Sequence, residues 1–151
     1  MKSDVELDLP TKKEYLLYAP MTDIQKEYYK AIKDKDLTAI MEKQDGISDN
    51  ITSTRLLNIL MQLRKTCNHP YLISEFQVKG KETISEHNER FLTEVVENCG
   101  KFKLLDTMLR KLKEKGHKVL IFSLMTRMLD VIEDYMELIG HKYCRLDGSV
   151  T

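Results

Sequence analysis

The feature that most constrains this chain is a strand–helix–strand pattern in its last third. Val119-Leu120-Ile121-Phe122 is a continuous apolar run of strand length, which is how a strand buried on both faces reads. Thr126 offers an N-cap to a following helix with Met128, Ile132, Tyr135 and Ile139 on one face, and Gly140 is its stop. Lys142 to Leu146 reads as a second strand. Short connections in this order specify a βαβ unit, a parallel pair with a right-handed crossover. The expected fold class is α/β, with an incomplete parallel sheet preceded by a mainly helical segment. Two strands do not make a stable doubly wound sheet, so the chain is expected to be a fragment of a larger protein.

The preceding residues supply the helices. Residues 1–20 read as extended, bracketed by Pro10 and Pro20, with Tyr15-Leu16-Leu17-Tyr18 a β-prone run. Thr22 and Gln25 form a capping box before Ile24, Tyr28, Ala31 and Ile32, which recur at helical spacing. Asp34-Lys35-Asp36 is a candidate interruption, and Gly46 a candidate stop. After a polar stretch from Asp45 to Ser53, Leu56, Leu57, Leu60 and Leu63, widened by Ile59 and Met61, predict a buried helix. Pro70 forbids its continuation past Asn68-His69. Residues 74–90 read as a surface loop and lobe boundary around Gly80. A short helix follows on Phe91, Leu92, Val95 and Val96. The next is on Leu104, Leu105, Met108, Leu109 and Leu112 and ends near Gly116.

Whole-chain charge gives no direction, because 24 basic residues balance 24 acidic ones. The distribution is uneven. Lys101 to Lys118 carries seven basic residues against two acidic, and Arg127 to Glu137 carries four acidic against one basic; solvated helix faces account for both runs. Three widely spaced cysteines (Cys67, Cys99, Cys144) are no disulfide framework and fit a reducing compartment. No apolar run approaches the roughly 18 residues of a membrane span, and no signal-peptide hydrophobic region follows Met1.

A catalytic constellation is not evident. Gly100-Lys101 is followed by Phe102 and lacks the glycines and hydroxyl of a phosphate-cradling loop. No acidic pair follows an apolar strand to hold magnesium. Cys67, His69, His117, His141 and Cys144 are too scattered for a metal site, and no serine nucleophile motif is present. Two spots could touch nucleic acid. Arg64-Lys65 ends the buried helix, where a solvated helix end is the plainer reading. Arg145, Asp147, Gly148 and Ser149 lie at the carboxyl end of the second expected strand, where Gly148 permits close backbone approach and Ser149 can donate to a phosphate oxygen; an ordinary turn is the plainer reading there.

Several blocks together resemble one family. Leu63-Arg64-Lys65-Thr66-Cys67-Asn68-His69-Pro70-Tyr71-Leu72 resembles the Leu-Arg-Lys-x-Cys-Asn-His-Pro block of Snf-type chromatin-remodelling ATPases. Leu9-Pro10-Thr11-Lys12-Lys13-Glu14 is similar to a step near the end of their first motor lobe, and Gly100-Lys101-Phe102 to the step that opens the second. Lys118-Val119-Leu120-Ile121-Phe122-Ser123 is similar to helicase motif four, and Tyr143-Cys144-Arg145-Leu146-Asp147-Gly148-Ser149 to the following strand and loop. Order and spacing agree over nearly the whole chain, nearest to the imitation-switch and lymphoid-specific-helicase branch. Cys99 stands where the family usually has serine, and Leu124 where it usually has glutamine.

The resemblance implies a partial RecA-like, P-loop NTPase-type lobe. Residues 1–73 would end the first lobe and supply inter-lobe helices, 74–99 a loop and linker helix, and 100–151 the start of the second lobe. It further implies a nuclear, DNA-dependent ATPase that acts with its remaining motor lobes on double-stranded DNA and nucleosomes. ATP and magnesium would belong to the full-length parent, with none for this chain alone. By resemblance Arg145, Asp147, Gly148 and Ser149 face DNA, Arg64 and Lys65 lie in the inter-lobe region, and Val119 to Ser123 form the motif-four strand. The alternative is a non-catalytic interaction module derived from such a motor.

Overall fold

The computed structural model describes residues 11–41, 49–74 and 82–148. Its elements are α1 (Asp23–Met41), α2 (Asp49–Asn68), a 3-10 turn (Pro70–Leu72), α3 (Ile84–Glu97), α4 (Gly100–Glu114) and α5 (Thr126–Leu138). The α/β expectation is therefore corrected. Val119, Leu120, Ile121, Phe122 and Ser123, like Lys142 to Leu146, are irregular backbone, and no strand forms among the described residues. The physical reason is that β-propensity is a disposition to pair. An extended segment becomes a strand only when a neighbour takes its N–H and C=O groups, and no ladder bond joins these two segments. Their side chains lack cover as well: Leu120, Phe122 and Leu146 are more than four-fifths exposed.

Local chemistry explains where the helices start and stop. The Gln25 amide donates to Thr22 Oγ1 (3.3 Å) and the Thr22 amide to Gln25 Oε1 (3.1 Å), closing the box at α1. Helix α1 runs through Asp34-Lys35-Asp36 without interruption, while Gly46 lies outside the described residues. Helix α2 begins at Asp49, inside the stretch read as polar loop, and stops at Asn68 ahead of Pro70. Its apolar stripe is not buried, with Leu56, Leu57, Leu60 and Met61 all exposed. Periodicity identifies an apolar face but not what covers it. Residues 84–90, also read as loop, form the first half of α3. Thr83 caps that helix by a second capping box with Glu86. Helix α5 is capped at Met125 without a side-chain bond, one residue before Thr126. Gly116 (φ 73°) and Gly140 (φ 65°) end α4 and α5 in left-handed conformations.

The core sits between the 3-10 turn and α3, α4 and α5. Leu72, Phe91, Val95, Cys99, Phe102, Leu109, Met128, Ile132, Tyr135 and Met136 form one buried cluster. Helices α1 and α2 pack on each other and on the turn.

One glycine is demanded by space rather than conformation. A Cβ on Gly100 would lie 1.7 Å from the Pro20 carbonyl oxygen, so the extended chain before α1 lies directly against the first residue of α4. Neither Gly116 nor Gly140 meets anything within 4 Å, and alanine there meets only backbone strain. Gly116→Ala is expected to cost about 1–2 kcal/mol, and Gly100→Ala more than that. Thermal denaturation of both variants reads the order, and an equal or smaller loss for Gly100→Ala would show that the Pro20 contact is not constraining.

Candidate functional site: a buried clasp and an acidic groove

Two features organise the described residues. The first is a clasp built on Gln25, which is 1% exposed. Its amide nitrogen donates to Thr66 O at the end of α2 (2.8 Å) and lies 3.7 Å from Cys99 Sγ. Its amide oxygen accepts from the Gly100 amide (3.0 Å). Helix α4 has no side-chain cap of its own, since Cys99 makes none. Gln25 therefore caps α4 from 75 residues away while capping its own helix. Thr22 Oγ1 adds a bond to Asn98 O (2.8 Å), and Cys99 Sγ donates to Asn68 O (3.0 Å). Burial pushes the Cys99 thiol up, against the lowering effect of backbone amides at Phe102 and Lys101.

His69 continues this seam. It is fully buried, and its tautomer is fixed by its neighbours. Nδ1 accepts from the Tyr71 amide (3.0 Å), so Nε2 carries the proton and donates to Val95 O (2.9 Å). Its ring is 4.6 Å from Tyr71 and meets Phe102 edge-on at 5.5 Å, and Phe102 meets Tyr135 edge-on at 5.0 Å. The column ends where Tyr135 OH donates to Asp106, which also receives Arg110 Nε on both oxygens (2.9 and 3.0 Å). Burial pushes His69 down to about 4, because a second proton on the ring would have no solvent and no acceptor.

The second feature is a groove of about 690 Å³ between α3, α5 and the 3-10 turn. Leu72, Phe91, Val131 and Leu138 give it apolar surface, and α5 lines it with Arg127 in its first turn and with Asp130, Asp134 and Glu137 at positions i, i+4 and i+7, three acids against one base. Its two sides differ in charge balance. On the α3 side Glu82 is held by Arg90 (2.6 Å) and His87 (2.8 Å), and Glu94 by Arg90 (3.5 Å) and Tyr71 OH (3.1 Å). On the α5 side Asp134 has no hydrogen bond or ion pair among the described residues. Partial burial raises its carboxyl, and the neighbouring charges of Glu137, Asp130 and Glu133 raise it further. A site that disfavours its own negative charge in this way favours an incoming cation.

The residues expected from sequence fall in different places. Arg64 is exposed and Lys65 half-buried at the end of α2. Arg145 is surrounded by carboxylates, at 2.7 Å from Asp130, 2.6 Å from Glu133 and 2.7 Å from Asp147. Gly148 is exposed in a turn, and Ser149 lies outside the described residues. Gly100 and Lys101 are no phosphate cradle: the Gly100 amide is taken by Gln25, and Lys101 Nζ donates to Asn68 Oδ1 (3.0 Å). Among the described residues no His, Cys, Asp and Glu group is placed to hold a metal ion, and no helix is long and apolar enough to cross a membrane. The groove's acids were visible in the sequence as a charge run over Arg127–Glu137, but nothing there showed that the α3 side would face them with Glu82 and Glu94 already paired.

The residues Leu63–Leu72, which carry the end of α2, the clasp acceptors and His69, fall inside or at the edge of a known domain. The profile of the SNF2-related domain matches residues 1–72. The ISWI chromatin-remodeling complex ATPase ISW1 of Saccharomyces cerevisiae is 48% identical over 149 residues, 99% of this chain. The chain belongs to the SNF2-related family. Other SNF2-related relatives agree. The human SWI/SNF-related matrix-associated actin-dependent regulator of chromatin subfamily A member 1 is 47% identical over 99% of the chain, as is the Chromodomain-helicase-DNA-binding protein 1-like of Danio rerio. The chain spans 12–13% of the length of these relatives, so it corresponds to a small segment of each.

Two outcomes follow for this SNF2-related segment. Gln25→Leu keeps much of the volume but leaves the Gly100 amide and Thr66 carbonyl buried without partners, at about 1–3 kcal/mol for each orphaned group. Denaturant titration should show that loss, and a stability within 0.5 kcal/mol of wild type, at about the spread of neutral surface changes, would remove the clasp from consideration. For His69 the folded value lies below the unfolded one, so the unfolded chain binds more protons between them. Stability is full above pH ~6.5 and falls by roughly 3 kcal/mol as the pH drops toward ~4. His69→Gln should be less stable at neutral pH yet lose less over that window; parallel wild-type and variant curves would show that His69 does not titrate in this way.

Proposed function

We propose that this chain forms part of an ATP-dependent, DNA-translocating chromatin remodeller, and that within it the α3–α5 groove docks a lysine- or arginine-bearing protein segment. The observation that carries the docking assignment is the excess of carboxylates on the α5 side of the groove, where Asp130, Asp134 and Glu137 stand against Arg127. On the α3 side Glu82 and Glu94 are matched by Arg90, His87 and Tyr71, whereas Asp134 on α5 has no partner among the described residues. Apolar surface from Leu72, Phe91, Val131 and Leu138 suits the aliphatic stem of such a side chain, and the carboxylates suit its head.

The remodeller assignment rests on the family and on relatives described as chromatin-remodelling ATPases. From it follow double-stranded DNA and nucleosomes as partners, the remaining motor lobes as neighbours, and the nucleus as the place of action. In this reading residues 1–73 end the first lobe, and the second begins at Gly100. Arg64, Lys65, Gly148 and Ser149 are its DNA-facing candidates, with Asp147 and Arg145 in the same loop. ATP and magnesium would be held elsewhere in the parent, because the described residues do not fit them: the donors at Gly100 and Lys101 are already engaged.

A fluorescent lysine- and arginine-rich peptide titrated into the chain tests the groove. Binding should weaken steeply with salt, and Asp134→Asn with Glu137→Gln should weaken it about five- to thirtyfold, at about 0.5–1 kcal/mol for each of the two exposed charge pairs. Unchanged affinity in that double variant would remove the peptide from this groove.

A further inference from the structure

Besides Arg127 in its lining, the groove has a second cation at its edge. Arg145 Nη1 lies 2.7 Å from Asp130 Oδ1 and 2.6 Å from Glu133 Oε2, both on α5, and Asp130 is a groove-lining residue. Its Nη2 and Nε lie 2.7 and 2.8 Å from Asp147 Oδ2. One guanidinium thus faces three carboxylates, two from the groove helix and one from its own segment. The two sides of this cluster are not equally sheltered. The side chain of Asp147 is 7% exposed and that of Asp130 is 55% exposed, so a solvent-borne cation reaches Asp130 while Asp147 retains Arg145.

The segment bearing Arg145 is held to α5 by side chains. After the His141 amide donates to Met136 O (2.9 Å), it is irregular and joins no ladder. Tyr143 OH reaches Glu133 (2.9 Å) and Glu137 (2.8 Å), and Arg145 adds its contacts to Glu133 and Asp130. Polar side-chain contacts near the surface are individually weak and exchange readily with competing ions. A guanidinium on Asp130 is also the kind of group that the groove would receive from a partner.

We propose that Arg145 is an internal competitor for the groove: from its contact with Glu133 beside the groove it occupies the lining residue Asp130 as a docked lysine or arginine would, and so holds down the groove's affinity for its cationic segment. The proposal rests on the groove reading above and names a control on it. Binding of the segment displaces Arg145 from Asp130 toward Asp147. Any change that withdraws the Arg145 segment from α5 tightens the groove's grip. Loss of the arginine therefore strengthens binding, opposite to the result for a cation that helps hold a partner.

The same peptide titration, with Arg145→Gln, gives the test. Arg145→Gln should bind the peptide about three- to tenfold more tightly than wild type, and Arg145→Lys should fall between, because it keeps the charge but loses the fork. Asp130→Asn should cost little alone but reverse the gain in the R145Q background. Circular dichroism melts establish that each variant is folded. Where Arg145→Gln does not fold, the wild-type chain gives the answer by NMR. The Arg145 Hε resonance should shift as peptide is added, and a signal unmoved at saturation overturns the proposal. Equal or weaker binding by a folded Arg145→Gln chain also overturns it while leaving the groove assignment intact. A peptide that binds neither wild type nor variant removes the groove assignment itself.

Discussion

The arrangement depends on one buried amide side chain. Gln25 saturates both ends of its carboxamide within the protein, and its partners come from α1, α2 and the start of α4. A buried polar network is useful only when every member is satisfied, and then it specifies a single geometry. An apolar side chain at this position could fill the space but could not distinguish the Gly100 amide from any other contact. The clasp therefore sets which residue of α4 meets which turn of α2. It does so next to His69, whose own two hydrogen bonds fix the turn leading out of α2. The aromatic column from Tyr71 to Tyr135 then carries that alignment into α5.

The groove is a downstream result of that alignment. It exists because the 3-10 turn, α3 and α5 meet at a fixed spacing around Leu72 and Phe91. Its charge arises from an asymmetry between two helices that are both acidic in sequence. Helix α3 carries Arg90 within reach of Glu82 and Glu94, whereas the cation that Asp130 and Glu133 share comes from a different segment, at Arg145. A helix that neutralises its own acids makes a wall, and one that borrows its counter-charge makes a site whose strength is adjustable.

What was legible in the sequence tracks how local the governing physics is. The Thr22–Gln25 box, the stop before Pro70 and the glycine stops at 116 and 140 depend on neighbouring residues, and each appears where the sequence puts it. The box of Thr83 and Glu86 was equally local, but it was obscured by the polar composition of 74–90, which suggested a loop. The Val119–Phe122 run and the Leu56–Met61 stripe indicate a need for partners, and partners are a non-local matter; of the first only Ile121 packs against the core, and Leu56, Leu57, Leu60 and Met61 of the second stay exposed. The second roles of Gln25 and Arg145 were not legible at all, because their partners lie far away in sequence.

The close approach of Pro20 to Gly100 has a consequence for the order in which the chain acquires structure. Bringing two points 80 residues apart into van der Waals contact requires closing a very long loop, whose entropy cost is met only once its ends have something rigid to meet. Helices α3, α4 and α5, by contrast, lie near one another along the chain and share a core. Proteins rich in such local contacts assemble quickly, and distant ones join later. On a ribosome, Thr22 and Gln25 emerge long before Gly100 does. They wait, with their hydrogen-bonding groups in water, until the start of α4 arrives to receive them.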